Sequence, residues 1–195
     1  LRDHERRELD CRGFEIGSHT HDHAYANRMT KVGWQRQVID GKAKLEDELG
    51  HSVAGFCYPG GRVTTWARGV VAEAGFRYAR TTQNLRCDVG SDGLTVPTSL
   101  QFFPHSRSVI FRNLVRQGNW TLRTRLAAAC LSEGALEKRL FKAFDICLQQ
   151  QGTFHLWGHS WEIDRMALWP LLARFLQAVA SQVPRECRLT NGQAV

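Results

Sequence analysis

Apolar positions along this chain alternate between helical spacing and short unbroken runs. At the start, Leu1, a charged run to Glu8, and Leu9 read as a helix that Gly13 stops. Residues 14–17 read as a short strand. Thr30 can cap a helix that runs to Leu49 and stops at Gly50, with Trp34, Val38, Leu45 and Leu49 as its apolar stripe. Residues 53–58 predict a strand, broken by Pro59-Gly60-Gly61. A helix capped by Thr64 or Thr65 ends at Gly75, and residues 76–80 form the next strand. After a loop over 84–93, a strand is expected at 100–103 and helical pieces at 108–117 and 122–131. Residues 135–150 predict an amphipathic helix on Leu136, Leu140, Phe144 and Cys147. A buried strand follows at 153–159, then a helix over 167–183 and a short strand near 188–189. This alternation predicts an α/β fold with a parallel sheet, open or closed into a barrel.

Length adds one constraint: 195 residues suffice for a single domain with a sizeable core. No apolar run approaches the roughly 20 residues needed to span a bilayer, and no signal peptide is visible. The six cysteines are scattered without a C-x-x-C pair, which argues against structural zinc. Free buried thiols in a reducing compartment, hence the cytoplasm, are the simplest reading, with disulfides left open. The net charge of +7 is local in origin. No acidic residue lies between Asp92 and Glu133, while Arg107, Arg112, Arg116, Arg123 and Arg125 are interleaved there with Phe102, Phe103, Phe111 and Trp120. Such a segment can grip phosphate or carboxylate and stack on sugars or bases, or it can be a solvated helical face. No fold motif supports nucleic-acid binding.

The chemistry concentrates in two histidine clusters. His19 and His23 sit four apart just after the first strand, a spacing that lets two imidazoles converge on one divalent ion if the backbone makes a helical turn. The plainer reading of this cluster alone is a solvated turn. The late strand carries His155 and, at its end, His159 between Trp157 and Trp161. Taken alone, His159 reads equally as a core histidine or as a catalytic one.

Three segments in order, Glu15-Ile16-Gly17-Ser18-His19-Thr20-His21-Asp22-His23, Phe56-Cys57-Tyr58-Pro59-Gly60-Gly61 and Phe154-His155-Leu156-Trp157-Gly158-His159-Ser160-Trp161-Glu162, resemble motifs of the polysaccharide deacetylases, the NodB-homology group or carbohydrate esterase family 4. The resemblance spans most of the chain as one domain, residues 1–195. It implies a NodB-like irregular (β/α) barrel and a metal-dependent hydrolase that removes acetyl groups from N-acetylated sugars or polysaccharide. It implies one divalent metal, zinc by first choice, on His19 and His23. His159 would be the general acid, with His155 as rival, and the Gly60 N–H the oxyanion donor. Tyr58 and Pro59 would border the groove, and Leu156 and Trp157 the acyl pocket. The family's first strand, ending in two aspartates that serve as base and third ligand, has no counterpart here. Asp3, Asp10 and Asp22 stand in other contexts, so the chain reads as a domain incomplete at its N-terminus. The family's groove arginine is replaced by Cys57, which leaves Arg80 as a candidate to orient the base. Glu162 and Asp164 are candidates to orient His159, Asp164 more plainly as a helix cap. Two other readings stand beside this one: a non-catalytic carbohydrate-binding remnant, and a hydrolase of a non-sugar C–N bond.

Overall fold

The computed structural model describes residues 2–195. In chain order the elements are α1 (Asp3–Cys11), α2 (Lys31–Leu49), β1 (Gly55–Cys57), α3 (Ala67–Glu73), β2 (Tyr78–Arg80), β3 (Leu100–Gln101), α4 (Arg107–Arg116), α5 (Trp120–Ser132), α6 (Leu136–Gln149), β4 (Leu156–Trp157), α7 (Ser160–Arg165), α8 (Trp169–Gln182) and the single helical turn α9 (Asn191–Ala194). They fall into two compact units. The first holds the residues up to Thr82 with Gly90–Val96 and Leu189–Val195; the second holds Gln83–Val89 and Pro97–Arg188.

In the first unit the local signals that bound α2 hold. Thr30 Oγ1 accepts from the Gly33 N–H at 3.2 Å, and Gly50 closes α2 in the left-handed region. The cap expected at Thr64 or Thr65 is corrected: Trp66 occupies the N-cap position of α3, while Thr64 Oγ1 accepts from the Ala67 N–H at 3.2 Å. β1 and β2 pair in parallel, with Phe56 opposite Ala79. The strand expected at 14–17 is reduced to one parallel bridge, Ser18 to Phe56, because only Ser18 finds a partner for both its N–H and its carbonyl. The core is aromatic. Trp34 is fully buried and meets Phe56, Trp66 and Tyr58, and its indole N–H donates to the Ala24 carbonyl at 3.0 Å. That bond anchors the chain just after the first histidine cluster.

The second unit is helix-rich. β3 and β4 pair in parallel over two residues each, Leu100 with Leu156 and Gln101 with Trp157. The late strand is shorter than expected and only half-buried, since its last residue, His159, already caps α7. No strand forms at 188–189, where a turn follows α8. The core gathers Phe102, Leu126, Leu140, Phe144 and Phe175. Arg123 is buried among backbone acceptors, the carbonyls of Asn84, Asn113, Leu114 and Gly118, so its charge is offset by oriented dipoles. Burial lowers this guanidinium to about 10. The expectation of free thiols is corrected at one pair: Cys87 and Cys147 form a disulfide. Cys147 packs on the inner face of α6, as its stripe position predicted, but its sulfur meets Cys87 on the neighbouring loop. Cys11, Cys57, Cys130 and Cys187 are free.

The result is a parallel α/β fold with two short strand pairs among the described residues. No helix of these residues is long and apolar enough to cross a membrane.

Candidate functional site

The first histidine cluster is built by a bend rather than by the helical turn expected. Ser18 is tied to β1 by its N–H to the Gly55 carbonyl and by its carbonyl to the Cys57 N–H, both 2.9 Å. The backbone then turns through left-handed Thr20 and His23, and Thr20 Oγ1 accepts from the Ala24 N–H at 2.8 Å. Gln37 of α2 clamps the outside of the bend. Its carbonyl accepts from the His21 N–H, and its carboxamide both accepts from the Asp22 N–H and donates to the Asp22 carboxylate. Gly41 lets α2 come this close: a Cβ there would lie 2.8 Å from the His21 nitrogen. Nothing in the sequence marked Gln37 beyond its place on a helix face.

This bend brings the rings of His19 and His23 to 4.7 Å between centroids, edge to face. His19 Nδ1 donates to the Cys57 carbonyl at 2.6 Å. A carbonyl oxygen only accepts, so Nδ1 carries the proton and the lone pair of the neutral ring lies on Nε2. That is the tautomer in which a histidine ligates metal, with its other nitrogen fixed by a backbone acceptor. These two rings are the side chains that could hold a divalent ion. No group of three His, Cys, Asp or Glu side chains suited to a metal occurs among the described residues. Asp22 is engaged by Gln37 and His21, Asp10 by His51, and Asp3 by Arg6.

The proline-containing turn lies against the same loop. Tyr25 meets the His23 ring edge-on at 5.3 Å, and a Cβ on Gly60 would come within 2.6 Å of Tyr25. Gly60 has φ +60°, so glycine is required there both for conformation and for space. Tyr58 and Pro59 are buried. The Tyr58 hydroxyl donates to the Leu94 carbonyl, and burial raises its pKa. Tyr58 is thus a core residue with no surface for a sugar, whereas its place in the motif had suggested a groove wall. Cys57 is largely buried and its thiol is pushed up to about 11 by desolvation. Arg80 is buried too, donates from Nε to the Asn191 carboxamide at 2.8 Å, and is lowered to about 10 by burial. Ser18, His19, Cys57, Tyr78, Arg80 and Asn191 share the lining of a cavity of about 210 Å³.

In the second unit, His159 stands at the end of the late strand with its side chain 44% exposed. Its ring is stacked on Trp161 and meets Trp157 edge-on. Nδ1 lies 2.8 Å from Glu162 Oε2, an acceptor when ionised, so the proton faces the carboxylate. Glu162 is buried and receives a second bond from Gln101 Nε2 at 3.3 Å. The carboxamide oxygen of Gln101 accepts from His105 Nε2 at 2.9 Å. Leu156 and Trp157 are half-buried on β4, and the Trp157 indole N–H is buried without a partner among the described residues. His155 is occupied differently. Its Nδ1 lies 2.8 Å from Thr98 Oγ1, whose own proton reaches the His155 carbonyl, so it ties the strand to the preceding segment. Asp164 accepts from the Trp169 indole at 2.6 Å instead of capping a helix.

His105 gives a pH signature. Desolvation lowers its pKa below the ordinary 6.5. The unfolded chain therefore binds this proton first, and the stability tied to neutral His105 is present above that value and lost as pH falls below it. Stability measured from about neutral downward should fall less steeply in His105→Gln than in the parent. An unchanged difference between the two across that window would remove His105 from the network.

Residues 3–79 match the family model described as polysaccharide deacetylase. No curated protein matches the chain. The crystal structure of a probable polysaccharide deacetylase from Pseudomonas aeruginosa PAO1 is similar over 93% of this chain and 58% of that one, with 20% identity and a TM-score of 0.67. The crystal structure of Puue allantoinase is similar over the same shares, with 19% identity and a TM-score of 0.64. The chain thus spans 58% of the length of each, and at such identity the likeness establishes the fold. Residues 3–79, less than half of the chain, are thus similar to polysaccharide deacetylase sequence.

Proposed function

We propose that the chain carries the chemistry of a metal-dependent N-deacetylase with a NodB-like (β/α) barrel fold, acting on N-acetylated carbohydrate. The observation that carries this reading is the His19–His23 pair, with His19 held as its Nδ1–H tautomer by the Cys57 carbonyl. A divalent ion on these two rings, zinc by first choice, would polarise the acetyl carbonyl and lower the pKa of a bound water. Apart from the base that takes the proton of that water and the third metal ligand, for which no residue is assigned, the roles below belong to this chain's own groups. Gln37 and Gly41 hold the bend that aims the two imidazoles. The Gly60 N–H is the donor assigned to the developing oxyanion. Glu162 holds the His159 ring by Nδ1, and the resemblance assigns that imidazole the proton given to the leaving amine. Leu156 and Trp157 are assigned to the acetyl methyl.

Two imidazoles without a carboxylate leave much of the shell to water, so zinc binding by this chain should be weak and should disappear in His19→Ala and in His23→Ala. Calorimetric titration with zinc and an assay of acetate release from an N-acetylglucosamine oligosaccharide separate the readings. Zinc-dependent release that is lost with His19 supports the deacetylase. Zinc on the pair and oligosaccharide binding without release would instead favour the carbohydrate-binding alternative. Release from a cyclic amide alone would favour the non-sugar C–N hydrolase. Tight zinc binding untouched by His19→Ala would place the ligands elsewhere and end this reading.

A further inference from the structure

The arginine-rich segment has a surface that the deacetylase chemistry leaves unused. α4 turns Ile110 into the core and presents Phe111, Arg112, Val115 and Arg116 outward. Residues four apart lie one above the other on a helix, so Phe111 and Val115 form one exposed row and Arg112 and Arg116 the next. Arg123 pins the first turn of α5 to the last turn of α4 by donating to the carbonyls of Asn113, Leu114 and Gly118. Trp120, three residues before Arg123 and on the same side of α5, is therefore held near that last turn, while Leu122 projects from a different side. Phe111, Val115, Trp120 and Leu122 are 47–60% exposed. Arg112, Arg116 and Arg125 are exposed and form no ion pair among the described residues, and no acidic side chain occurs from residue 93 to 132. A merely solvated helix would turn polar residues outward. This one turns out large apolar side chains set among cations.

We propose that the α4–α5 hairpin docks on an anionic lipid surface, with the arginines at headgroup phosphates and Phe111, Val115 and Trp120 at the acyl boundary. The charge complementarity selects an anionic partner, and the exposed apolar side chains select a bilayer over a soluble polyanion. Arginines alone satisfy either partner, but aromatic and aliphatic side chains are withdrawn from water only where acyl chains begin. This docking is peripheral and independent of the catalytic assignment.

The test is co-sedimentation of the chain with vesicles of equal parts phosphatidylcholine and phosphatidylglycerol, against vesicles of phosphatidylcholine alone, at low and high salt. Binding should require phosphatidylglycerol and weaken with salt. Each arginine removed in Arg112→Gln and Arg116→Gln should weaken it about fivefold. The pair Phe111→Ser with Trp120→Ser should lose binding at low salt while circular dichroism stays that of the parent, since both side chains are exposed. Failure to sediment with either vesicle overturns the proposal. So does binding that survives Phe111→Ser with Trp120→Ser. Equal affinity of parent and that double variant for dextran sulfate, together with no vesicle binding, would identify the surface as a polyanion site.

Discussion

In an enzyme complete with the base and third ligand that the deacetylase proposal requires, replacing His159 by alanine should lower kcat for acetyl release by about 10²–10⁴-fold, the range of a general acid, with little change in KM. A group that protonates the leaving amine acts in the transition state more than in substrate binding, so its loss falls on kcat. Zinc affinity should stay that of the parent, because the variant leaves His19 and His23 in place, whereas His19→Ala should lose zinc and activity together. The structure adds a partner to this test. Glu162 Oε2 is 2.8 Å from His159 Nδ1, and it is itself held by Gln101. Glu162→Gln removes the charge opposite the ring and should give a smaller fall in kcat than His159→Ala, again with little change in KM. His155 is the control. Its ring is committed to Thr98, so His155→Ala should cost stability more than turnover. Near-normal kcat in His159→Ala with a large loss in His155→Ala would reverse the assignment.

What the sequence made legible was local. Thr30 and Gly50 bound α2 because a hydroxyl cap and a left-handed glycine act within a few residues of themselves. The stripe of α6 read true because its period is a property of the helix alone. Strand lengths did not read true. Residues 14–17 look as strand-like as residues 53–58, yet pairing depends on a neighbour that the segment itself does not encode, and a single bridge at Ser18 is what forms. The histidine spacing was informative, but the bend that aims the rings needs left-handed Thr20 and His23 and the clamp from Gln37, which no spacing announces. The line from His159 through Glu162 and Gln101 to His105 joins residues up to 61 apart in the chain, so only the fold reveals it. Tyr58 shows the opposite failure: a motif position that suggested a groove is filled by a core side chain.

Reducing the Cys87–Cys147 bridge should lower stability by about 4 kcal/mol, the chain-entropy value for a closed loop of this size. The two cysteines are 60 residues apart, so opening the bridge frees a long stretch of the unfolded chain. The folded chain also loses an anchor where it bears on the late strand. Cys87 lies on the loop whose Leu85 N–H donates to the Ser99 carbonyl and whose Cys87 carbonyl accepts from the Thr153 N–H. That loop flanks the segment that becomes β4 and ends in His159. Thermal or urea midpoints taken with and without reductant measure the effect, and Cys87→Ala with Cys147→Ala should abolish the response to reductant. Thiol titration of the denatured, unreduced protein should find four thiols, those of Cys11, Cys57, Cys130 and Cys187. Six would show that the bridge does not form. A bridge that contributes this much persists where the surroundings are oxidising. The redox state of the sample is therefore a condition to fix before any activity of His159 is measured.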